Sequence, residues 1–135
     1  FGNGLITDNQ GRSGEPAIFG QSNHWVDYSG SVLTGLGKSR REIQEGITCI
    51  NHQANPDSPP GWHVREDGWM GPSACREQSL LISQEKPLRL RYLLFGHAGL
   101  VDISVNNELA DKFNRLPDWI VRRSSVKHHE WEVFR

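Results

Sequence analysis

Two of the chain's six histidines, His52 and His63, fall inside one stretch, Gly46 to Gly71, together with two of its five tryptophans. Imidazole suits proton transfer near neutral pH or ligation of a divalent metal. A catalytic metal would want three such side chains and an open position, which His97 or His24 would have to complete. None of these spacings is diagnostic of a metal, and no motif names a cofactor. A second constellation overlaps the first. His63, Arg65 and Asp67 alternate along an extended segment and so share one face, with Trp69 following. There an Arg fork can grip a carboxylate or sugar hydroxyls, His can move a proton, and an indole can stack on a sugar ring. Trp62 and Asn55 belong to the same group, Asn55 through an amide able to read hydroxyls. The set with candidate chemistry is thus His52, His63 and Arg65 as catalytic groups, and Asn55, Trp62, Asp67 and Trp69 as ligand contacts.

Each of these residues also has an ordinary structural use. A histidine can satisfy a buried backbone group, and Arg65 can pair with Asp67 or Glu66 on a solvated face at a gain of at most about 1 kcal/mol. The tryptophans can bulk out a core. Asn55 precedes Pro56 and is first of all a turn residue. Cys49, in an apolar segment, reads as core rather than as a nucleophile. The chain has no Gly-x-Ser-x-Gly, no phosphate-cradling Gly-x-x-x-x-Gly-Lys, no His-Glu-x-x-His and no Gly-x-Gly-x-x-Gly.

The elements that must position these side chains are mostly extended. Expected strands are Gly4 to Thr7, Ala17 to Phe19, His24 to Tyr28, Arg41 to His52, a segment from Trp62, Leu80 to Ser83, Leu88 to Phe95, and one or two in the tail (Trp119 to Val121, Val126 to Phe134). Ser29-Gly30-Ser31 is expected to break the third of these. Gly46 inside the fourth suggests a bulge or a close backbone approach. The proline-rich run Asn55 to Gly61 reads as a stiff loop whose flanking strands would bring His52 and His63 together. Gly68 to Pro72 is expected to turn the chain. One helix is expected near 101–114, where Val101, Val105, Leu109 and Phe113 recur every four residues behind Asp102 or Ser104 as N-cap. The sum is a mainly β, antiparallel sandwich with one helix, in a single domain over 1–135.

Composition bounds the partners. Fifteen basic against 16 acidic residues leave no field for a polyanion, so no nucleic-acid partner is expected. The longest apolar run, Tyr92 to Phe95, is far short of the roughly 18 residues that a membrane-spanning helix needs. A soluble chain with no membrane partner is the expectation. Apolar residues make up 36%, which implies a thin core or one completed by a homo-oligomer or another segment. Two cysteines, Cys49 and Cys75, make no disulfide framework.

Several segments together resemble a known family. They are His24 to Gly30, Glu45 to Thr48, His52, Asn55-Pro56, Pro60, Trp62-His63-Val64-Arg65, Asp67-Gly68 and the Leu90 to Tyr92 strand ending at His97. They look like the C-terminal half of the bacterial family labelled "methane oxygenase PmoA", a domain otherwise of unknown function, over about residues 8 to 134. The resemblance implies an all-β, supersandwich-like, carbohydrate-associated bacterial protein of roughly twice this length. It implies association with the other half, which carries the family's most histidine-rich stretch; the sequence leaves the location open, with the periplasm or secretion as options for a bacterial protein. The function expected is binding or processing of a carbohydrate-derived small molecule or saccharide, with a histidine as base for proton abstraction or elimination and Arg65 steadying negative charge. The alternatives are a non-catalytic sugar-binding or assembly module, and the metal-dependent oxidase or oxygenase of the family label.

Overall fold

The computed structural model describes residues 4–135. Four strands form the main sheet: β1 (Leu5–Asp8), β2 (Trp25–Thr34), β3 (Arg41–Asn51) and β6 (Tyr92–Ala98), hydrogen-bonded in the order β1-β2-β3-β6. Two hairpins complete the β structure, β4 (Gly61–Arg65) with β5 (Trp69–Ser73), and β7 (Ile120–Arg123) with β8 (Trp131–Phe134). All pairings are antiparallel, so the fold is mainly β as the alternation implies. Two helices accompany them, a single turn α1 (Glu15–Ile18) and α2 (Ile103–Asn114).

Side-chain alternation along β2 and β3 gives the sheet two apolar faces. Val26, Tyr28 and Cys49 point one way and join Ile6, Ile18, Trp62, Val64 and Met70 in one cluster under the β4–β5 hairpin. Trp25 and Ile50 point the other way and meet Ala110 and Phe113 of α2, with Leu93, Val101 and Leu109 at the margin. No β6 residue reaches the first cluster, and Ile47, Tyr92 and Leu94 stay exposed on that side. Helix α2 starts at Asp102, whose Oδ1 accepts from the Ser104 and Val105 N–H groups and from the Ser104 hydroxyl.

The structure departs from the expected elements in several places, each with a local cause. Strand β2 runs through Ser29-Gly30-Ser31 to Thr34, because an unbroken ladder with β3 from Trp25↔Ile50 to Thr34↔Arg41 satisfies that backbone. Gly68 to Pro72 is not a turn; the turn lies at Glu66–Gly68, with Gly68 at φ 106°, and Trp69–Ser73 pairs back on β4. Leu80 to Ser83 finds no strand partner and is coil, with Leu81 fully outside. Ala17 to Phe19 lies largely in α1, which opens with Pro16 in its first turn. Strand β6 begins at Tyr92 rather than Leu88, and the buried stripe of α2 is Asn106, Ala110 and Phe113 rather than the one through Val105. That shift brings a polar side chain, Asn106, into the interior, where it finds a partner.

Candidate functional site

The most organised polar group in the interior is centred on Asp27, a fully buried carboxylate in the middle of β2. A buried carboxylate persists only if donors surround it, and four side chains arrange this. Thr48, directly opposite on β3, donates its hydroxyl to Oδ2 at 2.7 Å. Ser29, two residues along β2, donates to Oδ1. His97 of β6 places Nε2 at 2.7 Å from Oδ2. Asn106 of α2 donates to the Thr48 hydroxyl at 2.8 Å, so the bonds run in one direction, from Asn106 to Thr48 to Asp27. An ionised carboxylate can only accept, which assigns the proton of the neutral His97 ring to Nε2 and the lone pair to Nδ1. Among the described residues Nδ1 has no hydrogen-bond partner.

His97 reaches Asp27 across an intervening strand, and Gly46 makes this feasible. Ser29, Gly46 and His97 lie side by side on β2, β3 and β6. A Cβ on Gly46 would stand 2.5 Å from His97 Cε1 and 2.6 Å from the Ser29 hydroxyl. The continuous register shows no bulge here; the glycine serves the close approach, one of the two uses expected of it. The His97 side chain is 12% exposed. It borders a cavity of about 210 Å³ between β6 and the start of α2, lined also by Phe95, Leu100, Asp102, Val105 and Asn106. A base held by a buried carboxylate beside an open cavity can take a proton from a bound molecule.

The residues singled out from the sequence do not converge on one place. His63, Arg65 and Trp69 share the outward face of the β4–β5 hairpin, with Asp67 in the adjoining turn. There His63 stands edge-on to Phe19, Arg65 Nε lies 3.2 Å from Asp67 Oδ1, and Trp69 is 66% exposed. Trp62 points the opposite way, is fully buried, and donates its indole N–H to the Asn23 carbonyl at 2.8 Å. His52 belongs to the helix side of the sheet, where its ring packs edge-on against Phe113 at 5.0 Å. The proline-rich loop does not bring His52 and His63 together, because β4 leaves the sheet that contains β3 and pairs with β5 instead. The loop is stiffened by the Asn55 side chain, which acts as a neighbouring peptide. Its Oδ1 accepts the Arg91 N–H at 2.8 Å, and its Nδ2 donates to the Arg91 carbonyl at 2.8 Å and to Asn51 Oδ1 at 2.7 Å. Asn55→Ala would orphan the buried Arg91 N–H, so a loss of about 1–3 kcal/mol in denaturant unfolding is expected, whatever ligand is present.

His52 is a buried neutral histidine. Its Nδ1 accepts the Ala54 N–H at 3.1 Å, while the Nε of Arg91 is buried without a partner among the described residues. Burial, and after it the Arg91 guanidinium, hold its imidazole below the ordinary value of 6.5. The unfolded chain therefore takes up a proton first as pH falls through about 6.5, and stability is lost from there down to the folded value. Thermal unfolding from pH 8 to pH 5 should fall less steeply below 6.5 in His52→Gln than in the natural chain; equal slopes would count against a buried neutral ring. Cys49 and Cys75 are both free, and burial pushes the Cys49 thiol up to about 11, which leaves it un-ionised at neutral pH.

Asp27, Thr48, Ser29 and Asn106 were not apparent as site residues. The available signals were an aspartate in the middle of an otherwise apolar strand segment, and a glycine on the neighbouring strand. Among the described residues no group of three His, Cys, Asp or Glu side chains is placed to hold a metal ion. Neither a curated protein nor a solved structure matches the chain. Residues 1–111, which include the whole of the Asp27 network, match a family of unknown function, and the chain belongs to that family, DUF6807.

Proposed function

We propose that the protein binds a small carbohydrate-derived molecule beside His97 and abstracts a proton from it, with His97 as the base and Asp27 as its positioning residue. The observation that carries the proposal is the 2.7 Å contact between His97 Nε2 and the fully buried Asp27 carboxylate, on the border of a cavity. The carboxylate orients the ring and stabilises the imidazolium that forms when Nδ1 takes a proton. The cavity volume, about 210 Å³, is below the roughly 300–1,000 Å³ of sites for drug-sized ligands, which suits one sugar ring or the end of a longer saccharide. The carbohydrate part of the proposal rests on the motif resemblance to the carbohydrate-associated family labelled methane oxygenase PmoA. The proton-transfer role moves from His52 and His63 to His97, because His52 is enclosed and His63 stands on the outer face of the hairpin.

The test is solvent deuterium exchange into a sugar panel, followed by NMR together with ligand-induced thermal shifts. Exchange should occur with the natural chain and fall by about 100-fold or more in His97→Gln, the lower range for loss of a general base. Binding that depends on His97 without any exchange would support a non-catalytic sugar-binding module instead. If neither binding nor exchange responds to His97→Gln, the cavity is not the functional site.

A further inference from the structure

We infer that the molecule taken up beside His97 is a non-anionic sugar with a free carbonyl, and not a uronic acid or a phosphorylated or sulfated sugar. The inference rests on the proposed role of His97 and adds the class of molecule it acts on. Of the residues bordering the cavity, Phe95, Leu100 and Val105 are apolar and Asn106 is neutral. Among the described residues bordering the cavity, the one charged side chain is Asp102, an acid, and behind His97 lies a second acid, Asp27. Among the described residues no lysine or arginine borders the cavity, so a substrate carboxylate would meet like charge with no guanidinium or ammonium to offset it.

One feature at this place could in principle attract an anion, the N-terminus of α2. Asp102 closes it. Its side chain takes the Ser104 and Val105 N–H groups at 2.9 and 3.1 Å, and its own carbonyl takes the Asn106 N–H at 3.0 Å. The donors an anion would use are occupied by a carboxylate of the chain itself. The same bonds, the one from Val105 first, hold Asp102 below its ordinary value of 3.8, so the negative charge stays in place under working conditions. The next cavity bordered by His97 adds another acid, Glu45, and no base.

The exclusion of anions limits the chemistry. Proton abstraction from a sugar carbon requires a neighbouring group to receive the electron pair. A uronic acid would offer its carboxylate, which this cavity does not accommodate, so the acceptor is an aldehyde or ketone. In the exchange step the C–H bond next to that carbonyl breaks, Nδ1 of His97 takes the proton, and the electron pair moves into the carbonyl to form an enolate, whose charge is offset by the imidazolium formed beside it in the same step, a partner that a bound carboxylate facing the neutral ring would lack. The imidazolium exchanges its proton with solvent and returns a deuteron to the carbon.

The experiment compares glucose, galactose, mannose and fructose with glucuronate, galacturonate and mannuronate, using thermal shift and deuterium exchange on the full chain, with His97→Gln and Asp102→Asn as variants. Asparagine also caps helices, so Asp102→Asn keeps α2 in place while removing the charge. At least one neutral sugar should bind in a His97-dependent manner. Every uronate should bind about tenfold more weakly than its neutral counterpart, and Asp102→Asn should narrow that gap. His97-dependent binding of a uronate at equal or greater strength would overturn the inference and leave the role of His97 intact, as would a gap unchanged in Asp102→Asn. Binding of no sugar in a His97-dependent way would overturn both.

Discussion

Replacing Asp27 with Asn should reduce the proposed proton exchange about as far as His97→Gln does, by about 100-fold or more, because the base is then left in the wrong tautomer, as the same change does in the Ser-His-Asp triad. The expectation comes from tautomer control. Asp27 can only accept, so it fixes the proton on Nε2 of His97 and leaves the lone pair on Nδ1, the atom proposed as the base. An asparagine amide can donate to Nε2, which moves the ring proton to Nδ1 and removes the lone pair from the atom that must act. Thr48 and Ser29 would also lose their charged acceptor. A stability loss of about 2–4 kcal/mol in denaturant unfolding should accompany the change, since hydrogen bonds to charged groups contribute about 1.5–3 kcal/mol each and the asparagine retains part of them. Nitrogen-15 NMR of the His97 ring separates the two effects, because a purely structural role for Asp27 would lower stability without changing the tautomer. An unaltered ring proton in Asp27→Asn would rule out the positioning role.

The second large effect concerns Trp62, a residue with a plausible part in ligand binding on composition alone. Trp62→Ala should cost about 3–5 kcal/mol, the range for truncating a buried aromatic residue. The ring is fully buried between the sheet and the β4–β5 hairpin, among Ile6, Ile18, Val26 and Val64. Typical domains have about 5–15 kcal/mol in total, so this loss is a large fraction of the stability, and Trp62→Phe provides the graded control. Phenylalanine keeps much of the apolar volume but leaves the Asn23 carbonyl without the indole donor, at an expected cost of about 1–3 kcal/mol. Urea unfolding of both variants measures this. A Trp62→Ala protein as stable as the natural chain would show that the indole is not core.

His97 and Trp62 mark the two kinds of information in the chain. The β character, the strands around Asp27, Gly46 and Leu94, and the helix behind Asp102 are legible from alternation and capping, because these depend on neighbours a few residues away. Even the anomaly of Gly46 is visible, as a residue type that weakens a strand unless something must approach it closely. What alternation leaves open is which of two faces is buried, and by what. Trp62, His63, Val64 and Arg65 alternate in either case. That Trp62 and Val64 face inward follows only from the hairpin lying over the sheet.

The candidate site was decided at the tertiary level for the same reason. His97 is 70 residues beyond Asp27, and Asn106 is 58 beyond Thr48. Their meeting requires β6 to pass over the β4–β5 hairpin in sequence and pair directly with β3, with α2 then folding back across the sheet. Local propensities fix the strands and their faces but not the order in which strands become neighbours, which is selected by the burial of both faces at once. The sequence by itself determined a mainly antiparallel β fold with one substantial helix, and supplied histidines able to move protons. Only the tertiary structure decided which histidine would face a buried carboxylate.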